Sequence, residues 1–291
     1  MVFIFPVLFL VVGSLMGKNE LTDLLFPVLQ EGAKGYASWK LFPEYPTLKH
    51  YVEVLLDSPE FFVMFWNSVK ITVGALAGGL LVGMPAAWGF AKFDFPGKNI
   101  LFTLYIALMM MPFQVMLLGN YLVLDKIGLL DSLLGIIFPA VFSTFPIFIM
   151  YRFFKGIPLA FLEAARLDGA GELKLFFIVA IPLGSPGVIS AIVLGFLEYW
   201  NLIEQPMAFF EKQKELWPLS LYLPNIELEQ AGFAFAASVV ALAPAVLVFL
   251  SGQDYLEQGI VSTAVKRIKK RNNWKVTIKK RQFDKYIVNG I

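Results

Sequence analysis

The sequence predicts an all-α membrane protein with six transmembrane helices and a cytoplasmic helical hairpin between the fourth helix and the fifth. Two observations support this class. Of the 291 residues, 58% are hydrophobic and 16% are charged, whereas soluble domains average about 45–50% apolar and about 25% charged residues. The hydrophobic residues also gather into stretches close to the roughly 20 residues that a helix needs to cross a bilayer. The chain is therefore expected to cross the membrane several times.

Six apolar stretches are predicted to span the membrane, at about residues 1–17, 67–91, 100–123, 132–150, 186–206 and 232–250. The first is slightly shorter than the roughly 20 residues of a full crossing. An uncleaved span is favoured over a signal peptide, because no positive residue precedes this stretch and no A-x-A-like cleavage site follows it. The start of the fifth span is ambiguous, since residues 175–197 carry no charge. Pro182 and Pro186 guide its placement.

The second predicted span contains glycines at a spacing that allows close helix packing. Gly74 and Gly78 form one small-xxx-small pair, and Gly79 and Gly83 form another. Such pairs let two helix backbones approach each other in a membrane. This span is therefore expected to pack tightly against a neighbour.

The segment from residue 18 to about residue 66 is polar, with seven acidic residues and four lysines. It is predicted to be an extramembrane loop long enough to touch a partner. His50, the only histidine of the chain, lies in this segment and is interpreted as a solvated loop residue. The chain contains no cysteine, which excludes disulfides, thiolate metal sites and cysteine nucleophiles. A metal site is therefore not expected.

The distribution of basic residues predicts the orientation of the chain. Of the 24 lysines and arginines, 2 lie in residues 92–99, 4 in residues 152–174 and 10 in the tail that begins at Lys266. The other 8 lie towards the opposite face. Because cytoplasmic loops are enriched in Lys and Arg, both termini and the hairpin are predicted to be cytoplasmic.

A short charged segment between the fourth and fifth spans is predicted to form the hairpin. Pro158 suits a first helical position, where its missing N–H costs nothing, and helical spacing of the following residues carries this helix to about Asp168. At Gly169 the chain can take a positive φ and reverse its direction. A second helix is then expected to begin near Glu172 and to run to Pro182.

The first helix of this hairpin is predicted to be a docking surface. Ala164 and Ala165 keep the helix slim. A slim, charged and exposed helix beside a membrane can press into a cleft on another protein. Glu163, Arg166 and Asp168 would then supply ion pairs at the rim of that cleft.

With its full spacing, this segment resembles the EAA loop of the membrane subunits of binding-protein-dependent ABC importers. The pattern consists of Glu163-Ala164-Ala165, then Gly169 after three residues, then Val179-x-Ile181-Pro182. Further stretches resemble the carbohydrate-uptake class of these permeases, and in particular the smaller permease of the maltose transporter. They are Pro46-Thr47-Leu48-Lys49-His50-Tyr51, Trp66-Asn67-Ser68, Phe95-Pro96-Gly97, Pro112-Phe113-Gln114-Val115, Trp200-Asn201, Gln253 to Gly259, and Ala264-Val265-Lys266. The resemblance spans about residues 40–266.

The resemblance implies an importer transmembrane domain over residues 1–266, with the hairpin at residues 158–182 as coupling helices seated in a groove of a cytosolic ATPase. The residues implied in that contact are Glu163, Ala164, Ala165, Arg166, Asp168, Gly169 and Pro182. The implied partners are two copies of the ATP-binding subunit, a second homologous permease and an extracytoplasmic solute-binding protein that faces the loop between spans five and six. The complex would lie in a bacterial cytoplasmic membrane, in contact with lipid. ATP and Mg²⁺ would be bound by the ATPase subunits, and this chain would hold no cofactor.

Residues 267–291 form a basic tail that departs from the family pattern. From Lys266 onwards there are ten basic residues and one acidic residue, Asp284. The tail is interpreted as a solvated cytoplasmic segment attracted to anionic lipid, at about 1 kcal/mol per charge near the surface. A nucleic-acid partner is not expected. Family members usually end near Lys266, so the extension leaves the terminal contacts in doubt.

The leading hypothesis is the permease subunit of an ATP-driven importer that moves a sugar or oligosaccharide by alternating access. The chain contains no G-x-x-x-x-G-K-[ST] motif, so ATP would be hydrolysed on another chain. The protein is therefore not expected to be an enzyme. Glu198, Trp200 and Asn201, in the fifth predicted span, are expected to line the translocation pathway.

Several alternatives remain open at this point. The imported solute is alternatively a polyol, a sugar acid or a glycerophosphodiester. A different class, the ion-coupled secondary transporter, would use intramembrane Glu198 to bind the coupling proton. A membrane-embedded enzyme would need paired carboxylates or a histidine cluster, neither of which the sequence supplies. Glu198 itself is alternatively a structural residue at the interfacial end of its span.

Overall fold

A computed structural model of the chain describes residues 5–29, 36, 40, 42–222 and 230–257. Within these ranges the regular structure is helical and includes no strand. Four helices are long and apolar enough to cross a membrane, and a bent pair of shorter helices brings the number to five if the pair is one span. This agrees with the predicted all-α membrane class and gives four or five of the six predicted spans within the described residues. The predicted first span begins outside the described residues, and its described part is a helix of 10 residues.

The described part of the chain contains thirteen α-helices, most of them joined by connections of a few residues. In chain order they are α1 (Phe5–Ser14), α2 (Lys18–Leu29), α3 (Lys49–Leu56), α4 (Pro59–Lys92), α5 (Lys98–Met109), α6 (Phe113–Lys126), α7 (Leu133–Val141), α8 (Thr144–Gly156), α9 (Leu159–Leu167), α10 (Glu172–Leu175), α11 (Ile181–Trp200), α12 (Glu204–Phe209) and α13 (Ala231–Glu257). We call the end of the bundle that carries α9 the hairpin end. The end that carries α3 and α12 is called the opposite end.

Helix α4 is the central element of the bundle, and it packs against α7, α8 and α11. Its 34 residues correspond to about 51 Å at 1.5 Å per residue. A Cβ atom added at Gly74 would lie 2.7 Å from Ile137 on α7, and one added at Gly83 would lie 3.1 Å from Ile147 on α8. The glycines therefore permit the close helix packing that the sequence predicts.

A buried aromatic cluster lies beneath the hairpin. The rings of Trp88 on α4 and Phe154 on α8 meet edge to face with centroids 5.8 Å apart. Phe176, which follows α10, lies 6.2 Å from Trp88. Leu162 of α9 and Leu175 of α10 are buried against the same cluster. The hairpin is therefore held on a packed base that three membrane helices share.

The fifth membrane helix differs from the prediction at both of its ends. It runs without a break from Glu172 to Trp200, whereas the sequence predicts a hairpin helix that stops at Pro182 and a span at 186–206. The helix continues because residues Phe176–Ala180 form a π-helical turn. The Ile181 N–H donates to the Phe176 carbonyl, five residues back, in this widened turn. The helix then continues through Pro182, which has no backbone N–H that would need a helical acceptor.

The third predicted span, at 100–123, is broken. Helices α5 and α6 meet at 104°, and Pro112 is the N-cap of α6. Proline disfavours a helical conformation in the residue before it and has no backbone donor, so α5 ends at Met109. The fourth span also extends past its predicted end at residue 150, since α8 continues to Gly156.

The segment predicted to be a polar loop, residues 18–66, is largely helical where it is described. It contains α2, α3 and the first two turns of α4. The interpretation of His50 as a solvated residue is wrong, because His50 is 7% exposed. Its ring packs against Gly232 at the start of α13, a contact that no local sequence pattern predicts.

The packing of α4 on α7 can be tested by a glycine substitution. Gly78→Ala is expected to lower the free energy of unfolding by about 1–3 kcal/mol, because the added Cβ would overlap the Val141 side chain. The thermal midpoint of the detergent-purified protein measures this change. Gly89→Ala is the matched control, since a Cβ there meets nothing within 4 Å. Equal midpoints for the two variants would contradict the close contact.

Candidate functional site

The turn of the hairpin follows a recurrent helix C-cap geometry. Helix α9 ends at Leu167, and Gly169 has a φ of +80°. The Gly169 N–H donates to the Arg166 carbonyl at 3.0 Å, and the Ala170 N–H donates to the Ala165 carbonyl at 3.0 Å. These two bonds form a Schellman motif, which requires a left-handed residue after the helix. The predicted positive φ at Gly169 is confirmed.

The outer surface of the hairpin is mixed in character. Phe161 is 56% exposed, Leu167 is 90% exposed and Leu173 is 78% exposed. Glu163 and Asp168 are also exposed, and so is Ala164, whereas Ala165 is half-buried. Exposed apolar side chains surrounded by charges are typical of a surface that contacts another protein.

Arg166 has a partner inside the hairpin. Its Nη2 atom lies 2.9 Å from Glu172 Oε1, and its Nε–H donates to the same oxygen at 3.0 Å. This ion pair joins α9 to α10 across the turn. Arg166 is predicted to lie at the rim of a partner's cleft, and in the structure it closes the hairpin through its bond to Glu172.

Lys92, the last residue of α4, fixes the start of the hairpin. Its Nζ donates to the carbonyl oxygen of Ile157 at 2.7 Å and lies 6.0 Å from the centre of the Trp88 ring. Ile157 caps the C-terminus of α8, where backbone carbonyls lack helical partners and a positive charge is favourable. In the sequence, Lys92 is only one of the basic residues whose distribution predicts the orientation of the chain. A bond between residues 65 positions apart leaves no local pattern.

The residues predicted to line a pathway lie at the end of α11, and the structure separates them. Glu198 and Asn201 are exposed, and Asn201 Nδ2 donates to the Leu197 carbonyl at 2.8 Å. Trp200 is 5% exposed. Its Nε1–H donates to the Ala241 carbonyl at 3.0 Å, so its ring packs between α11 and α13.

A hydrogen-bonded pair of polar side chains, which the sequence analysis did not predict, lies beside the broken third span. Gln114 Nε2, in the first turn of α6, donates to the carboxylate oxygens of Glu204 at 2.9 and 3.2 Å. Both side chains are exposed. Met110, at the break, is 76% exposed. A polar pair and a helix break thus share one exposed region of the chain.

An open cleft of about 700 Å³ lies at the opposite end, between α3 and α13. His50 Nδ1 is 3.2 Å from Glu53 Oε2 there. Burial, and to a lesser extent the negative charge of Glu60, raises the pKa of Tyr222 above its ordinary value. No group of three His, Cys, Asp or Glu side chains able to hold a metal ion occurs in the described ranges.

Comparison with known proteins gives a family match over most of the bundle. The profile of the family described as "Binding-protein-dependent transport system inner membrane component" matches residues 79–262. This range includes the hairpin, the aromatic cluster beneath it and the exposed end of α11.

Two relatives and one solved structure extend the match. The arabinooligosaccharides transport system permease protein AraQ of Bacillus subtilis is 28% identical over 270 residues, covering 91% of this chain and 92% of AraQ. The diacetylchitobiose uptake system permease protein NgcG of Streptomyces coelicolor is 32% identical over 192 residues, covering 64% and 63%. A bacterial ABC transporter involved in alginate import superposes with a TM-score of 0.70 at 21% identity, covering 87% of this chain and 90% of that one. The fold is therefore shared with that transporter.

The bond from Lys92 to the hairpin can be tested by hydrogen exchange. Lys92→Met removes the donor and leaves the Ile157 carbonyl without it, at an expected cost of about 1–2 kcal/mol for a half-buried charged donor. Amide exchange in residues 158–168 should then be faster by about 5- to 30-fold. Lys92→Arg keeps a donor and should exchange at nearly the original rate. Identical exchange in the Met variant and the original protein would show that this bond does not hold the hairpin.

Proposed function

The chain belongs to the binding-protein-dependent transport system inner membrane components, and on that premise we propose that it is the permease subunit of an ATP-driven importer for a sugar or oligosaccharide. The observation that carries the proposal is the α9–α10 hairpin. Its inner face is anchored to three membrane helices, and its outer face exposes apolar and charged side chains to a partner. The chain supplies no phosphate-binding motif, so the nucleotide chemistry belongs to that partner.

The proposed topology has six spans, with α5 and α6 together as the third and the stretch at residues 1–17 as the first. Both termini and the hairpin are cytoplasmic. Support comes from the basic residues, since 16 of the 24 lysines and arginines fall on this side. The transmembrane domain covers residues 1–266, and residues 267–291 are a basic cytoplasmic tail. The tail lies outside the described residues.

In the proposed complex, each of two ATPase copies accepts the coupling hairpin of one permease. In this chain, Phe161, Leu167 and Leu173 would enter an apolar groove of the ATPase, since burial of exposed apolar area drives association. Glu163 and Asp168 would face polar groups at the rim. Gly169 sets the turn between the two helices, so it contributes geometry rather than contact. The coupling region extends to Pro182, where the π-helical turn joins the hairpin to α11.

The translocation pathway is proposed to run along the exposed face that carries Glu198 and Asn201. A charged side chain within a span costs at least about 2.5–3.5 kcal/mol unless it meets water or a partner. Broken backbone at membrane depth, as at residues 110–112, is also tolerated only where protein covers it or water fills a cavity. A second permease facing α5, α6 and α11 would satisfy both conditions. Trp200 is excluded from this proposal, because it is buried and hydrogen-bonded to α13.

The proposed substrate class is carbohydrate, delivered by an extracytoplasmic solute-binding protein. The support is that AraQ and NgcG are named for oligosaccharides. A sugar acid is the second candidate, because the structurally similar transporter imports an acidic polysaccharide. In either case alternating access would expose the polar face of α11 first to one side of the membrane and then to the other.

The coupling assignment can be tested by reversing one charge. Glu163→Lys is expected to reduce uptake of a labelled arabino-oligosaccharide by about tenfold or more, because a mismatched charge at a partner contact costs several kcal/mol and 1.4 kcal/mol is a factor of ten. Insertion and assembly should persist, since Glu163 is exposed. Uptake and ATP hydrolysis are measured together in proteoliposomes of the complex.

Asp94→Lys is the matched control for that reversal. Asp94 lies on the same side of the bundle, its side chain is 99% exposed, and it pairs only locally with Lys98 at 3.1 Å. It should therefore leave the ratio of uptake to ATP hydrolysis unchanged. Full coupled uptake in Glu163→Lys would remove α9 from the docking surface.

The choice between an ATP-driven importer and an ion-coupled transporter can be tested at Glu198. Glu198→Gln keeps hydrogen-bonding ability and removes the titratable proton. The importer hypothesis expects uptake that requires ATP, ignores a protonophore and stays within about a few-fold of the original rate in this variant, since one neutral hydrogen bond contributes about 1 kcal/mol. Uptake driven by a pH gradient without ATP, and abolished by Glu198→Gln, would favour the secondary transporter instead.

A further inference from the structure

Residues 204–222, which follow α11, form a folded segment on the opposite end of the bundle. The segment contains α12 and two 3-10 turns, Lys214–Leu216 and Leu219–Leu221. We call residues 204–222 the platform. Its path is set by side chains from other parts of the chain.

The inner side of the platform is apolar and buried. Phe209 and Phe210 are each 1% exposed, and they pack with Ile71 of α4 and Ile136 of α7. Leu219, near the other end of the platform, is 5% exposed and packs in a separate cluster. The platform is therefore attached to the bundle at two apolar points.

Asp131, in the connection between α6 and α7, binds the platform beside the first of these points. Its N–H donates to the Phe209 carbonyl at 2.9 Å. Its Oδ1 accepts from the N–H groups of Lys212 at 2.8 Å and Gln213 at 3.3 Å. Asp131 holds a φ of +55° in this arrangement, a conformation that Asp and Asn tolerate better than most residues.

Asn67 and Ser68 of α4 bind the platform beside the second point. Asn67 Nδ2 donates to the carbonyls of Glu215 at 2.7 Å and Trp217 at 3.3 Å. Ser68 Oγ accepts from the Leu219 N–H at 2.7 Å. Asn67 is 3% exposed and Ser68 is 0% exposed. Polar side chains buried in a membrane bundle are costly unless their hydrogen bonds are satisfied, and these bonds go to the platform backbone.

Between the two attachments the chain presents an exposed polar strip. Its side chains are those of Glu211, Lys212, Gln213, Lys214 and Glu215, all of which are exposed. The strip carries two acidic and two basic residues. Interleaved charges of both signs suit the polar rim of a contact with a water-soluble protein and do not suit burial in lipid.

We propose that Asp131, Asn67 and Ser68 are positioning residues that preset the polar strip, residues 211–215, as a docking surface for the extracytoplasmic solute-binding protein. This inference rests on the proposed importer function. The three side chains reach the strip and the residues just after it from two different elements, and they bond to the backbone there. They therefore fix the path of the strip while its side chains remain exposed. One of these side chains, Glu211, also accepts a hydrogen bond from the Tyr121 hydroxyl at 2.9 Å. A surface that is already ordered loses less conformational entropy on binding. The three positioning residues therefore act on the affinity for the partner rather than on the maximal rate.

Two substitutions at Asp131 test the effect of its side-chain acceptor separately from the effect of its backbone conformation. Asp131→Gly keeps the positive φ and removes the acceptor, whereas Asp131→Asn keeps both. Ser68→Ala independently tests the hydrogen bonds beside the second attachment point. The assay uses the full complex in nanodiscs, co-expressed with its solute-binding protein. It measures the concentration of sugar-loaded solute-binding protein that gives half-maximal stimulation of ATP hydrolysis. Hydrogen exchange of residues 209–217 is measured on the same samples.

Asp131→Gly and Ser68→Ala are expected to raise the half-maximal concentration by about three- to tenfold, the effect of losing one hydrogen bond to a backbone donor. The maximal rate should persist, residues 209–217 should exchange faster, and Asp131→Asn should resemble the original protein. An unchanged half-maximal concentration would overturn the inference, whether exchange rises or the maximal rate or yield falls. If the original complex shows no stimulation at any concentration, the importer function itself fails. That result is distinguishable, because it does not depend on the variants.

Discussion

Helix α4 connects the two ends of the molecule, and its hydrogen bonds at both ends are the constraint on which the other contacts depend. Asn67 and Ser68 hold the platform near its beginning, and Lys92 holds the base of the hairpin at its end. Lys92 lies 24 positions after Ser68, which corresponds to about 36 Å of continuous helix. Because the glycines of α4 seat it closely on α7 and α8, this separation is fixed by packed backbone rather than by flexible loops.

The hairpin combines a rigid base with an exposed surface, and each property has its own physical cause. Leu162 and Leu175 bury the inner side against Trp88 and Phe154, while the Arg166–Glu172 pair closes the turn. Leu167, at 90% exposed, remains outside this core. An apolar residue at the tip of a charged hairpin is stabilised when a partner covers it. The same architecture that orders the hairpin therefore leaves an apolar residue exposed at its tip, where the proposed contact with a partner would cover it.

The broken third span and the end of α11 form an exposed face that also needs water or a partner around it. Its polar side chains are those of Glu198, Asn201 and the Gln114–Glu204 pair, all of which are exposed. Backbone freed at a helix break needs water or protein around it. In the proposed complex, a second permease that faces this surface would enclose a polar space, which is the arrangement that alternating access needs.

The sequence alone determined the membrane class, the hairpin with its turn at Gly169 and the close-packing glycines of α4, because each depends on composition or on residues within a few positions of one another. Its predicted spans overlap the long helices of the structure, but it stopped the hairpin helix at Pro182, since only the i to i−5 bonding of the π-helical turn carries the helix into that proline. Tertiary structure alone decided that Trp200 turns into the core and that His50 is buried on Gly232. It also decided the bonds of Lys92, Asn67, Ser68 and Asp131, which join residues 65 to 151 positions apart. Such contacts form only when packed helices bring distant segments together, so no local pattern in the sequence records them.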